Sequence, residues 1–100
     1  MFVLSLDYNA PLADVDRVRD AHMAWVAEQY AAGRFLASGA KVPRTGGVIL
    51  ARGAPRAEIE ALVAQDPFST AGVAEYTIIE FAATTTADDA AALREPPAAP

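Results

Sequence analysis

A helical stripe enclosed between two stop signals constrains this chain more than any other feature. Val15, Val18, His22, Trp25, Val26, Gln29 and Tyr30 recur at helical spacing, while Arg17, Arg19 and Glu28 fall largely outside the stripe. Pro11 suits a first turn, and Asp14 and Asp16 suit the positive end of the helix dipole. Gly33 is expected to close the helix as a left-handed cap. A strand over residues 2–8 precedes it, with Phe2, Leu4 and Leu6 on one face and Val3, Ser5 and Asp7 on the other.

Two strands follow the helix, from Arg34 to Ser38 and from Val48 to Arg52. Gly39, Pro43, Gly46 and Gly47 punctuate a hairpin-like connection between them. A second helix starts at Pro55 and buries Ile59, Leu62 and Val63. Pro67 disfavours helical geometry at Asp66, which predicts that the helix stops there. A fourth strand runs from about Val73 to Phe81.

The order is βαββαβ, which predicts an α+β, ferredoxin-like antiparallel sheet. Right-handed crossovers place both helices on one face of it. The strands are nevertheless apolar on both sides: Thr77, Ile79 and Phe81 alternate with Tyr76 and Ile78, and Val48, Ile49 and Leu50 are consecutive. A sheet of that kind needs a second cover. A homodimer joined through the open sheet face is the natural one, and 53% hydrophobic residues in 100 favours it. Covering by the chain's own tail is the alternative. The expected division is a domain over residues 1–83 and an Ala/Thr/Pro-rich tail over 84–100, with a short helix near Asp88 to Leu93 ended by Pro96 and Pro97 and disorder in the last residues.

Charge and composition remove several function classes. Eight basic against 13 acidic residues give a net charge of −5, which argues against nucleic-acid partners. No basic amphipathic stretch argues for a membrane surface. The absence of cysteine excludes disulfides, thiolate nucleophiles and cysteine metal sites. One histidine excludes a multi-histidine metal site, so neither metal nor cofactor is expected. The first residues lack a basic lead and their apolar stretch is too short for a signal peptide or a span, so a cytoplasmic location is expected.

What remains is proton chemistry. His22 is the chain's sole imidazole, and imidazole exchanges protons near neutral pH. Asp66 stands before Pro67 and Phe68, where it reads either as a turn former or as the carboxylate that orients His22. Spacing alone does not bring them together, because they lie 44 positions apart. Ser38 beside Gly39 invites a Ser–His–Asp reading, but no Gly-x-Ser-x-Gly elbow is present, and Ser38 reads better as a hydrogen-bond donor to a ligand. Lys41 and Arg44 in the next loop are placed to hold an anionic substrate at a pocket mouth, with solvated loop charges as the alternative. Phe68 and Trp25 read as core, with cavity lining as the second reading.

Four segments carry a resemblance: Ala21-His22-Met23-Ala24-Trp25-Val26, Ala32 to Gly39, Gly46-Gly47-Val48-Ile49, and Asp66-Pro67-Phe68. In order and spacing the chain resembles the YCII-related (YciI-like) family over about residues 1–82. One departure is Ala40, where the family commonly has proline. The resemblance implies a dimeric α/β barrel and a paired His and Asp matched by His22 and Asp66. It further implies a small cofactor-independent enzyme of the lyase or isomerase kind, performing elimination or isomerisation on a small, cyclic or anionic metabolite. On that reading His22 and Asp66 are catalytic, and Ser38, Gly39, Lys41 and Phe68 bind substrate. A non-catalytic ligand-binding or accessory dimer is the alternative, and haem on His22 a more distant one.

Overall fold

The computed structural model describes residues 1–98. Strand β1 (Phe2–Tyr8) leads into helix α1 (Leu12–Ala31), strands β2 (Phe35–Ala40) and β3 (Gly46–Ala51), helix α2 (Arg56–Val63), a short helix α3 (Pro67–Thr70) and strand β4 (Ala74–Glu80). A 3₁₀ helix over Asp88–Leu93 follows. The sheet order is β2-β3-β1-β4, with every neighbouring pair antiparallel. That is the ferredoxin-like α+β arrangement.

Alternation along β1 sets the layers. Phe2, Leu4 and Leu6 are buried, and the residues opposite them on β3 and β4 (Ile49 and Ile78 across from Leu4, Tyr76 across from Leu6) share their face. Trp25 and Val26 of α1 and Ile59 and Val63 of α2 pack on this face as one cluster. Val15 of α1 and Phe68 of α3 join Leu6 in a second cluster. Leu4, Val15 and Ile59 are completely enclosed, each contributing about 1.5–3 kcal/mol of apolar burial.

The helix ends follow local chemistry. Gly33 adopts a φ of 76°, and the N–H groups of Gly33 and Arg34 close on the carbonyls of Tyr30 and Gln29. Gly46 has a different requirement: a Cβ there would lie 1.7 Å from the Leu6 carbonyl oxygen, so the β3–β1 approach admits glycine alone.

The hairpin and the second helix differ from expectation: β2 runs on to Ala40 and β3 starts at Gly46, so Gly39, Gly46 and Gly47 lie in strands, not in the connection. The second helix does not run to Asp66; it ends at Val63, and Asp66-Pro67 opens α3 instead. The physical reason is that proline is disfavoured inside a helix but suited to its first position, and aspartate is a strong N-cap. The tail is tied to the domain as far as Glu95, whose carboxylate accepts from the Ala83 N–H at 2.9 Å and from the Met1 amino group. The expected disorder of the last residues concerns in part residues 99 and 100, which lie outside the described ones.

The sheet face away from the helices carries Val3, Val48, Leu50 and Ile79. Ile79 is 53% exposed, and Val48 and Phe81 are exposed too. Among the described residues no helix is long and apolar enough to cross a membrane.

Candidate active site

Helix α3 exists because Asp66 caps it. The Asp66 backbone is extended, and its Oδ1 accepts the Phe68 N–H at 2.9 Å, with Pro67 in the first turn. The same Oδ1 accepts from His22 Nδ1 at 2.7 Å. The second oxygen, Oδ2, accepts from the Tyr76 hydroxyl at 2.5 Å. Asp66 is 0% exposed. A carboxylate so enclosed is costly unless its lone pairs are met, and three donors meet them here.

Each donor arrives from a different element. His22 sits on the buried stripe of α1, two turns beyond Val15. Tyr76 comes from β4, where alternation turns it toward the helices. Burial, reinforced by the hydrogen bond to Asp66, pushes the Tyr76 hydroxyl far above the usual phenol range, so it stays a donor across working pH. The His22 ring lies flat on Phe68, with centroids 3.9 Å apart and planes 9° from parallel, and Trp25 stands 6.0 Å away. Stacking and the Asp66 bond together fix the ring's plane and rotation. In the tautomer whose Nδ1–H donates to Asp66, the ring's free lone pair sits on Nε2.

His22 borders a cleft of about 220 Å³ between α1 and the β2–β3 hairpin. Leu6, Val26, Ile49 and Phe68 supply apolar wall, and Ser38, Gly39, Gly46 and Gly47 supply the hairpin side. This volume is below the ~300–1,000 Å³ of drug-sized pockets, so it suits a small metabolite.

A bulge in β2 brings Ser38 to this side. Phe35 pairs with Ala51 and Ser38 with Ile49, an odd separation on β2 against an even one on β3. In a regular strand Phe35 and Ser38 would face opposite ways; the register shift between Phe35 and Ala37 turns both toward the helices. The Ser38 hydroxyl then meets the Tyr30 hydroxyl at 2.7 Å, which anchors it at the cleft wall.

Of the residues singled out in the sequence, His22, Ser38, Gly39 and Phe68 line this cleft, and Asp66 lies immediately behind His22. Lys41 does not join them. Its Nζ pairs with Asp7 at 2.7 Å, outside the lining. Arg44 does border the cleft. Sequence reasoning missed Tyr76, Tyr30 and Arg19. Of these only Arg19 carried a usable signal, standing one helical turn before His22 on the same side of α1. Among the described residues no group of three or more His, Asp or Glu is gathered to hold a metal ion.

The YCII-related domain family matches residues 1–82 of this chain. The chain belongs to that family. No curated protein matches it. Among solved structures, this YCII-related chain is similar to 5-chloro-2-hydroxyhydroquinone dehydrochlorinase from Burkholderia phenoliruptrix AC1100, determined in complex with 2,5-dihydroxybenzoquinone. The TM-score is 0.64 at 19% identity, covering 81% of this chain and 93% of that one. At that identity the likeness is one of fold.

Proposed function

We propose that this YCII-related protein is a small enzyme that moves protons without a cofactor, by elimination or isomerisation on a small cyclic metabolite. The observation that carries the proposal is the 2.7 Å bond between His22 Nδ1 and a wholly buried Asp66, at the wall of a metabolite-sized cleft. His22 Nε2 takes a proton from substrate carbon and returns it to a leaving group or to a second carbon. Asp66 orients the ring and stabilises the imidazolium that forms. Tyr76 keeps Asp66 in place. Ser38 and the Gly39 backbone hold polar atoms of the substrate, and Phe68 backs the imidazole. The similar dehydrochlorinase, bound to a dihydroxybenzoquinone, supports a ring-shaped substrate for a cleft on this fold.

The assembly belongs to the same proposal. Residues 1–83 form the unit, with 84–100 as an appended tail, and two copies meet through Val48, Leu50 and Ile79 of the open sheet face to make a dimeric α/β barrel. These side chains are already about half or more covered, so each adds only a part of the roughly 1.5–3 kcal/mol of full burial, before its entropic cost. A cytoplasmic location is part of the same proposal.

The test is a panel of chlorinated hydroquinones and cyclic enones, followed by chloride release and by solvent deuterium entering carbon. Wild-type protein is expected to turn over one class, and His22→Ala to lose ~10²–10⁴ of that rate with the fold intact. An alanine variant as fast as wild type would remove His22 from the chemistry. Saturable binding with no turnover across the panel would make the cleft a binding site only.

A further inference from the structure

The charge of the cleft runs against the charge of the chain. The protein has 13 acidic and 8 basic residues, yet the cleft lining includes Arg19 and Arg44 and no aspartate or glutamate. The only other titratable side chains on its wall are His22 and Tyr8. A site for a neutral guest has no use for two guanidinium groups at one rim.

The two arginines are held differently. Arg44 comes from the β2–β3 loop, donates from Nη2 to Asp16 Oδ1 at 2.5 Å, and lies 5.8 Å over the Tyr8 ring centroid. Its hydrogen bond holds the Asp16 carboxyl below the usual carboxylate range. Asp16 and Tyr8 thus share the guanidinium, which has five N–H donors and still borders the cleft. Arg19 is exposed, and its charge acts on Asp16 without a direct ion pair among the described residues. It stands one turn before His22 on α1, so its reach and the His22 ring serve the same space. One residue comes from the helix and the other from the hairpin, and both lie beside Asp16 at the same end of the cleft.

We propose that Arg19 and Arg44 form an anion clamp, and that the substrate is a small ring carrying a carboxylate. The guanidinium fork matches a planar oxyanion with paired hydrogen bonds, which a single lysine does not do. The apolar body of the guest then rests against Met23, Val26, Ile49 and Phe68, with its reacting carbon toward His22. That last placement rests on the acid–base reading above; the charge preference does not. Lys41, engaged with Asp7, takes no part.

The experiment measures binding of benzoate and of its neutral isostere benzamide by calorimetry and by NMR shifts of the arginine Nε–H groups. Wild-type protein is expected to bind benzoate about tenfold or more tightly than benzamide, and less tightly as salt rises. Arg19→Gln and Arg44→Gln should each weaken benzoate roughly three- to tenfold, the double variant should erase the preference, and benzamide should be unaffected. His22→Gln separates the two readings, because it should keep the preference for benzoate while removing any turnover. Equal binding of the two probes, no benzoate binding up to about 10 mM, or a preference that survives in the double variant would overturn the clamp. None of those results touches the His22–Asp66 chemistry.

Discussion

Tyr76→Phe deletes one oxygen and keeps the ring that packs against both hydrophobic clusters. The hydroxyl is the sole donor to Asp66 Oδ2, and Asp66 is fully enclosed, so no solvent replaces the lost bond. Hydrogen bonds to charged groups contribute about 1.5–3 kcal/mol. Relief from burying the hydroxyl itself offsets a part, which leaves a loss of about 2 kcal/mol. For a domain of this size each kcal/mol lowers Tm by about 4–8 °C, so Tm should fall by about 8–16 °C, and the urea midpoint should drop with an unchanged slope. The same substitution in an Asp66→Asn background should cost at least about 1 kcal/mol less, because the carboxylate that made the bond strong is gone. The assay is a thermal and urea double-mutant cycle over the four proteins. Equal losses in both backgrounds, or a Tm change under about 2 °C, would refute the claim that the hydroxyl acts through Asp66.

Two further outcomes are expected. Since burial raises the Tyr76 pKa, its contribution to stability is fully present below the unfolded value near 10 and is lost as pH rises through the higher folded value; phenolate absorbance should therefore leave one of the three tyrosines un-ionised until alkali unfolds the chain, and titration of all three near pH 10 in folded protein would contradict the site geometry. Ile79→Lys places a charge on the open sheet face and should convert a particle of about twice 10.5 kDa into a folded monomer by light scattering; a dimer that persists means the copies meet elsewhere.

Most of the scaffold was legible because each element carries its own punctuation. The α1 stripe is bounded by Pro11 and Gly33, and Gly33 takes the positive φ its position suggests. The alternation of β1 and β4 matches their places beside one another in the sheet. Pro67 keeps Asp66 out of helical geometry, as its position predicts; the same proline also opens a new helix, with the preceding aspartate as its N-cap. Ser38 reached the cleft through a bulge that no residue type announces. Tyr76 was hidden because strand alternation tells only which face a side chain takes, whereas its partner lies ten residues upstream across a turn. The His22–Asp66 contact joins a mid-helix position to a helix cap 44 residues later, and only tertiary packing, or kinship with a family, reveals such a pairing.

A single oxygen, Asp66 Oδ1, both starts a helix and steadies a ring. Replacing Asp66 therefore takes away an N-cap and a ring's anchor in one step, whereas replacing His22 leaves the cap where it is. The acid is answerable to the scaffold first, and whatever the imidazole does is built on a residue the architecture already requires.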